Sequence, residues 1–349
     1  ASSLLVEPER TNLITYSEDF TNAIWTKSGS SVTPNATTSP DGTINADKLV
    51  EDTSTGGHQI QSITSASNST IYTTSVFVKY AGREWIRFTD AQSSNRIHFN
   101  TLTGVFGTIS GTVIDYNSTA LEDGWYKLSF TTTSVATAYT PRISLAEADN
   151  DVSYTGDGVS GVYIYGASLE LGSYPTSYIP TDGGTVTRVQ DQYSKTGISN
   201  LINSEEGSFF IDLAYLSSNT NYDLQSSIVL SDGSGNNRVI LYTSSSASAN
   251  IYTVMIKSGG GIVIQEEITV TDITLFNKIA ITWKTNEYKV FLNGSPEYST
   301  ITPTATPIGL NNLFFAAYNS TVNPFYGKVK QLQVFKTALT DSELIALTT

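Results

Sequence analysis

The chain has 349 residues, enough for two domains of ordinary size, and it contains no cysteine that could form a disulfide. Hydrophobic residues make up 39% and charged residues 15%, a composition that excludes an intrinsically disordered chain and does not suit a helix bundle. The formal net charge of −13 argues against binding of nucleic acid or of anionic membranes by bulk electrostatics, and the longest apolar runs are too short for a membrane span.

The first half of the chain has the pattern of short strands separated by turns. An extended segment is predicted over residues 4–16, and a turn with two aromatic residues over 17–25. The even spacing of the strands that follow predicts an antiparallel sandwich. These predicted strands are 58–63, 71–80, 84–90, 96–100, 125–132, 139–147 and 162–171.

Residues 162–191 organise the chain, because a segment that favours a strand is followed by one that cannot continue a sheet. Val, Tyr, Ile and Leu alternate with other residues over 162–171, which predicts a strand with one buried face. Gly, Pro, Ser and Thr dominate 172–184 and predict an ordered hinge. We therefore predict a first domain over residues 1–185, a junction over 186–204 and a second domain over 205–349.

The second half also predicts a sandwich. Asn293-Gly294 is a hairpin turn signal, because both residues tolerate positive φ. Thr340 and Glu343 have the spacing of a capping box and predict a short C-terminal helix. The fold class expected is all-β, with two antiparallel jelly-roll sandwiches in tandem and this helix. The predicted strands are 208–216, 226–231, 238–243, 250–257, 262–268, 277–284, 288–292, 313–317 and 328–335.

Five motifs in the first half occur in a fixed order: LLVEPERTNLITYSEDFTNAIW, SPDGTINADKL, FNTLTGVFG, DGWYKLSFT and YIYGASLELGSYPTSYIPT. Together they resemble a jelly-roll module of tail and receptor-binding proteins of tailed phages. The resemblance covers roughly residues 4–191, and it implies an architecture related to carbohydrate-binding modules. The motifs do not indicate which ligand is bound.

Two motifs in the second half, ITWKTNEYKVFLNGS and FYGKVKQLQVFKTALTDSELIAL, are similar to those of concanavalin-like or laminin-G-like lectin sandwiches. The similarity covers about residues 205–349. It implies a lectin fold without identifying the sugar.

The sequence offers little for catalysis. His58 and His98 are isolated in the sequence and are expected on strand surfaces, and there is no GxSxG elbow. Glu205-Glu206 and Glu266-Glu267 are adjacent pairs, whose side chains would point to opposite faces of a strand. We therefore predict that the chain is not an enzyme and has no catalytic residue.

Aromatic and amide side chains are the candidates for binding a sugar, since aromatic faces stack on pyranose rings and amides bond hydroxyls. Trp125 and Trp283 are expected in the cores. The remaining candidates fall at a turn in the first domain and in a polar loop of the second, where simple packing is the alternative. The predicted ligand-binding residues are Trp25, Tyr80, Arg83, Trp85, Tyr318, Asn319, Asn323 and Tyr326.

Calcium is the only cofactor expected, because oxygen ligands are plentiful. The resemblance to jelly-roll carbohydrate-binding modules implies a structural calcium near the chain start and the final strand. Glu18, Asp47 and Glu170 are the carboxylates nearest those places. An acidic loop with Asp149, Asp151 and Asp157 is the alternative.

The function expected is that of a non-catalytic, virion-associated tail or receptor-binding protein that contacts bacterial surface glycan or polysaccharide outside the cell. Other tail proteins are its expected partners, a homotrimer is one expected assembly, and neither nucleic acid nor membrane insertion is expected. Two alternatives stay open. One is a structural decoration or assembly protein without a sugar site, and the other is an accessory binding part of a polysaccharide-degrading enzyme.

Overall fold

A computed structural model describes residues 2–217, 226–243, 250–300, 305–317 and 323–349. The chain divides into two compact units: the first unit is Glu9–Val189, and the second unit combines Ala1–Pro8 with Gln190–Thr349. Each unit is built from two six-stranded antiparallel sheets, which confirms the predicted all-β fold class. No helix in the described part of the chain is long and apolar enough to span a membrane.

The strands up to the junction are mostly those that the sequence predicts, with further short ones between them. Three long strands were not predicted, Ser30–Thr38, Ile44–Glu51 and Val113–Ala120, and the first of them is polar and contains Pro34. In chain order the strands are β1 (Leu4–Val6), β2 (Arg10–Asn12), β3 (Trp25–Ser28), β4 (Ser30–Thr38), β5 (Ile44–Glu51), β6 (Thr55–Gly56), β7 (Gln59–Ser62), β8 (Thr64–Ser65), β9 (Ile71–Ala81), β10 (Trp85–Asp90), β11 (Arg96–Asn100), β12 (Val105–Ser110), β13 (Val113–Ala120), β14 (Trp125–Thr133), β15 (Ala138–Tyr139), β16 (Pro141–Ala146), β17 (Tyr154–Thr155), β18 (Gly161–Leu171) and β19 (Val186–Arg188).

The first unit packs two sheets face to face, and we name each sheet after a central strand. The β9 sheet has the order β13-β14-β9-β18-β5-β4, and the β10 sheet has the order β12-β11-β10-β16-β7-β3. Alternate residues of both sheets point inward and form one core, which includes Val76, Val78, Ile86 and Phe88. The residues between them, such as Phe77 and Arg87, therefore lie on the outer faces. β4 is an edge strand, where a proline costs no ladder hydrogen bond.

The second unit has the same two-layer construction. Its β21 sheet has the order β1-β30-β21-β26-β27-β28, and its β22 sheet has the order β20-β29-β22-β23-β24-β25. Trp283 is completely buried in the core between the sheets, as predicted. The strands are β20 (Ser194–Lys195), β21 (Glu206–Tyr215), β22 (Ser227–Ser231), β23 (Arg238–Thr243), β24 (Ile251–Ser258), β25 (Gly261–Thr269), β26 (Asn277–Lys284), β27 (Glu287–Leu292), β28 (Ser295–Thr300), β29 (Asn312–Phe314) and β30 (Gly327–Phe335).

The first strand of the chain lies in the sheet of the second unit. Leu4 pairs with Val329 and Val6 with Gly327, and Val6 is completely buried in the core of that unit. The grouping of residues 1–8 thus differs from the predicted bounds, which placed them in the first domain. The difference arises because three residues carry too little pattern to indicate which sheet they join.

The chain ends in α1 (Asp341–Thr348), the short helix predicted from the capping box. The Thr340 side chain accepts a hydrogen bond from the Glu343 amide, and the Glu343 carboxylate accepts one from the Thr340 amide. Leu344 is fully buried against Phe210 and Phe291 on the outer face of the β21 sheet. The capping residues hence start the helix, and Leu344 anchors it.

Candidate functional site

The outer face of the β9 sheet carries a row of aromatic side chains. Phe77 of β9 lies opposite Tyr165 of β18 on one side and Lys127 of β14 on the other. Trp125, at the start of β14, projects from the same face two residues before Lys127. Phe77, Trp125 and Tyr165 thus form a cluster separate from the core of the sandwich, because they stand on the opposite side of the sheet.

These residues form the floor of a cleft of about 540 Å³, which we call the aromatic cleft. Its size falls within the range of sites that hold small ligands. Polar and acidic residues of two loops form its rim. The lining residues are Thr38, Ser39, Pro40, Asp41, Gly42, Phe77, Leu121, Glu122, Asp123, Trp125, Tyr165 and Tyr178.

The aromatic rings of the cleft hold one another in place. The Phe77 ring centroid lies 5.8 Å from that of Tyr165 and 5.8 Å from that of Tyr178, and the two tyrosine rings are 5.6 Å apart. The Trp125 indole donates a hydrogen bond of 3.2 Å to the Thr38 carbonyl. Because Trp125 and Tyr165 are only 2% and 4% exposed, a ligand would meet ring edges at the floor and the half-buried Tyr178 at the side.

A network of tyrosine hydroxyls and carboxylates lies behind the floor. The Tyr165 hydroxyl lies 2.9 Å from a carboxylate oxygen of Asp41 and 3.0 Å from one of Glu18, while the Tyr178 hydroxyl lies 3.1 Å from the same Glu18 oxygen. The Ser17 hydroxyl lies 2.6 Å from that of Tyr178. If each phenol donates its single proton once, Tyr165 bonds Asp41 and Tyr178 bonds Glu18.

The protonation states in this network are set by burial and by the nearby charges. Burial and the neighbouring Asp41 and Glu18 raise the pKa of Tyr165, and burial also raises the pKa of Tyr178, so both phenols stay protonated donors at neutral pH. Burial alone would raise the pKa of Asp41, but hydrogen bonds from Ser39 and Thr43 outweigh it and hold that pKa well below its usual range. Asp41 therefore stays ionised.

The rim of the aromatic cleft offers unoccupied acceptors. Glu122 and Asp123 belong to the short 3-10 turn that precedes β14, and both are exposed. Neither carboxylate has a hydrogen-bond or ion-pair partner within the described ranges of the chain. Two free carboxylates above an aromatic floor can accept hydrogen bonds from the hydroxyls of a sugar.

Trp25 lies elsewhere than predicted. Its side chain is 2% exposed and packs in the core of the first unit, with its ring 4.7 Å from that of Phe20. Its indole nitrogen donates to the Tyr16 carbonyl at 2.8 Å. The position corrects the expectation that Trp25 binds a ligand, because its ring points inward at the start of β3.

The predicted cluster of Tyr80, Arg83 and Trp85 is not formed as one rim. Arg83 is held by Glu51, to which its Nε donates at 2.9 Å, and lies over the Tyr154 ring at 4.7 Å. Tyr80 ends β9 and is 38% exposed, whereas Trp85 starts β10 in the opposite sheet. Of the three, Trp85 lies on the outer face of the β10 sheet, on the same side as Arg87.

The predicted loop site of the second unit is only partly visible. Tyr318 and Asn319 lie outside the described residues. Asn323 adopts a left-handed backbone conformation with φ of 49°, and the Tyr326 hydroxyl donates to Gln190 at 2.6 Å. The involvement of these four residues in ligand binding stays a prediction.

The three predicted calcium ligands are each occupied by hydrogen bonds within the chain. Glu18 bonds the cleft tyrosines, Asp47 accepts from the amides of Phe20 and Asn35, and Glu170 accepts from Ser168 and Thr176. Within the described ranges, no group of three or more His, Cys, Asp or Glu side chains is placed to hold a metal ion. Calcium binding stays a prediction, which melting temperatures with calcium and with chelator would test.

The two histidines also differ from the expectation, since both are completely buried rather than on strand surfaces. His58 packs against Tyr154, with ring centroids 4.7 Å apart, and lies 3.4 Å from Asp52. His98 lies 2.8 Å from the Thr108 carbonyl and 4.0 Å from Asp149. The side chains and carbonyl groups around each imidazole cover it.

The predicted ligand-binding residues did not include Phe77, Tyr165 or Tyr178, and Trp125 was predicted to lie in the core. The sequence does indicate the direction of the Phe77 side chain. Because side chains alternate along a strand, Phe77 must point away from the core if Val76 and Val78 point into it. No such indication exists for Tyr178, because it lies in the segment predicted only as a hinge. The cleft forms only when that segment returns over the β9 sheet.

Comparison with known proteins places the second unit among lectin-like folds. A family model described as the concanavalin A-like lectin/glucanases superfamily matches residues 213–345. This match agrees with the lectin-like domain that the sequence predicts for the second half of the chain. Among curated proteins, none matches the sequence of this chain.

Solved structures with a similar fold come from several carbohydrate-related and extracellular proteins. The Ruminococcus gnavus IT-sialidase CBM40 bound to α2,3-sialyllactose has 20% identity and a TM-score of 0.35, covering 45% of this chain and 98% of that one. Domain 4 of AbnA, a GH43 extracellular arabinanase from Geobacillus stearothermophilus in complex with arabinotriose, has 15% identity and a TM-score of 0.35, with coverage of 48% and 77%. Domains LG4-5 of the mouse laminin alpha1 chain have 9% identity and a TM-score of 0.29, with coverage of 81% and 86%. At these values the likeness carries no argument about the ligand.

Proposed function

We propose that this protein is a non-catalytic glycan-binding component of a phage tail and that the aromatic cleft of its first unit holds a bacterial surface polysaccharide. The observation that carries the glycan part is the cleft itself, with aromatic rings at its floor and free carboxylates at its rim. The lectin-like match of the second unit supports the same class of function.

The cleft suits a sugar for two physical reasons. The side of Tyr178 and the edges of Phe77 and Trp125 offer apolar contact to the C–H face of a pyranose. Glu122 and Asp123 can each accept a hydrogen bond from a hydroxyl, and a charge-assisted bond of this kind contributes about 1.5–3 kcal/mol. A terminal residue or a bend of a polysaccharide would fit a cleft of this volume better than an extended chain.

A binding role rather than a catalytic one is part of the proposal. Asp41 and Glu18 already accept hydrogen bonds from protonated tyrosines, so these carboxylates act as fixed acceptors that hold the floor. Both histidines lie beneath the surface. These arrangements favour a rigid site that recognises a ligand and leaves its bonds intact.

The location on a phage virion rests on the five ordered motifs of the first half. In this setting the protein would act outside the cell, beside other tail proteins and in a homotrimer. A structural tail protein without a sugar site is the competing function. It would assemble on the virion yet bind no polysaccharide.

Binding of bacterial surface polysaccharides on a glycan array, followed by calorimetry with the best oligosaccharide, tests the proposal. The double variant Glu122→Gln and Asp123→Asn should weaken binding about tenfold or more, because each charge-assisted hydrogen bond is replaced by a weaker one to a neutral amide oxygen. Asn also tolerates the left-handed backbone of residue 123, where φ is 56°. The matched control is Asp115→Asn on the exposed edge strand β13.

Two results would contradict the proposal. One is the absence of any polysaccharide ligand on the array, and the other is equal affinity of the double variant and the Asp115→Asn control. Loss of binding in Tyr178→Ala with unchanged circular dichroism would add support, since that ring forms the open side of the cleft.

A further inference from the structure

The outer face of the β10 sheet carries three arginines on adjacent strands. Thr89 of β10 lies opposite Arg96 of β11 on one side and opposite Arg142 of β16 on the other. Arg87 stands two residues before Thr89 and so points to the same side of the sheet. We call these three side chains the arginine triangle.

The spacing of the sheet brings the three guanidinium groups within reach of a single ligand. Strands lie about 4.8 Å apart, so the backbones of Arg96 and Arg142 are roughly 10 Å from each other. Arg87 is diagonal to both, at about 7–8 Å. Burial lowers the pKa of Arg87, and so do the nearby charges of Arg96 and Arg142, which places the three groups in one electrostatic environment.

The chain balances the positive charge of the triangle only in part, through the electrostatic interaction of Asp90 with Arg142. In the part of the chain that the structure describes, no carboxylate forms an ion pair with any of the three arginines. Arg142 donates from Nε to the side-chain oxygen of Gln61 at 2.7 Å, and the Nε atoms of Arg87 and Arg96 are buried without a hydrogen-bond partner. Three clustered arginines without an ion pair among the described residues are unexpected in a protein with a net charge of −13.

The acids nearest to this face are engaged elsewhere. Asp149 accepts from the amide and the hydroxyl of Thr108 at 2.9 Å each. Asp90 is buried and its Oδ1 accepts from the amides of Thr140 and Gln92, while its Oδ2 has no hydrogen-bond partner and the carboxylate interacts with Arg142 without an ion pair. An external anion is therefore the group that would complete the triangle.

An aromatic ring lies beside the arginines. Trp85 precedes Arg87 by two residues and projects from the same face, where it is half-buried. Its ring extends across β11 to Gly107 of β12, where a Cβ would lie 2.6 Å from the indole and would also meet the Asp149 carboxylate. The glycine thus makes room for a flat indole next to a cationic cluster.

We infer that this face binds an acidic sugar residue, with the triangle holding its carboxylate or sulfate group and Trp85 stacking on its pyranose ring. Guanidinium groups form paired hydrogen bonds with both kinds of anion, and the indole supplies the apolar contact. The inference deepens the proposed glycan-binding function by naming an acidic ligand, but it concerns the β10 sheet and does not require the aromatic cleft.

Calorimetry of the full chain with three probes tests this inference: a uronate tetrasaccharide, a sulfated tetrasaccharide of a neutral backbone, and the same tetrasaccharide without sulfate. We expect at least one anionic probe to bind and the unsulfated one to leave this face unoccupied. Arg87→Gln and Arg142→Gln should each weaken anionic binding by about tenfold or more, and added salt should weaken it further. In NMR spectra, the Nε–H signals of the three arginines should shift on addition of the bound probe.

The matched control is Lys79→Gln, which removes one positive charge from the opposite sheet of the same unit and should leave binding unchanged. Equal affinities for Arg87→Gln and Lys79→Gln would overturn the inference, as would failure of both anionic probes to shift the arginine signals. The double variant Glu122→Gln and Asp123→Asn distinguishes binding at the aromatic cleft from binding at the arginine triangle, because it alters only the cleft. Anionic binding that survives there supports the triangle even if no ligand is found for the cleft.

Discussion

Glu51 is the acceptor at the centre of a buried polar network, and its replacement gives the sharpest test of what holds the first unit together. Its side chain is 1% exposed. It accepts from Arg83 Nε at 2.9 Å, from the Tyr154 hydroxyl at 2.7 Å and from the Asp157 amide at 2.9 Å. Glu51→Ala removes the acceptor for all three donors.

The magnitude follows from the groups that lose their partner. Breaking a buried ion pair by removing one member costs about 3–5 kcal/mol. Arg83 is 16% exposed, so water recovers part of the solvation of its guanidinium and moves the expectation toward the lower value. The hydroxyl of Tyr154 adds about 1–3 kcal/mol, because it is left buried without an acceptor. We expect a total loss of about 4–6 kcal/mol in the free energy of unfolding.

Urea denaturation followed by tryptophan fluorescence measures this loss, with Asp115→Ala as a control on the exposed strand β13. Glu51→Gln keeps the shape and one acceptor oxygen, so it should lose less than Glu51→Ala. A loss below about 1 kcal/mol for Glu51→Ala would refute the reasoning, since the carboxylate would then contribute no more than an exposed one.

Three further predictions concern other elements. Burial raises the pKa of Asp90 above its unfolded value, so its contribution relative to Asn is present below about pH 4 and is lost as the pH rises. Asp90→Asn should therefore gain stability relative to wild type as the pH rises above about 4, and parallel pH profiles would contradict this. Leu344→Ala should cost about 2–5 kcal/mol in urea denaturation, because the side chain that anchors α1 is fully buried; a loss within error would contradict it. Gly207→Ala should lower the melting temperature, because its Cβ would lie 2.4 Å from the buried Trp283 ring, and an unchanged melting temperature would count against this.

Local patterns predicted most of the fold. The alternation over 162–171 indicated β18, and the spacing of Thr340 and Glu343 indicated the start of α1, because both depend only on neighbouring residues. The polar β4 was missed, since an edge strand buries too little apolar surface to produce an alternating pattern.

The candidate site was harder to predict, because it depends on which strands become neighbours. Phe77 and Tyr165 are far apart in the sequence and meet only through the β9–β18 register. The same applies to Arg96 and Arg142, which face each other across Thr89. Trp25 was predicted to bind a ligand because it lies near a turn. In the structure its ring is in the core and its indole donates to the Tyr16 carbonyl.

The pairing of β1 with β30 means that the first sandwich is an insertion within the second. A fragment that begins at residue 190 would lack Val6 from its core and would leave the N–H and C=O groups of one side of β30 without a strand beside them. Bare edges of this kind recruit strands from other molecules, so such a fragment should self-associate. Joining residues 1–8 to the end of that fragment through a flexible linker is therefore the sounder way to dissect the two halves.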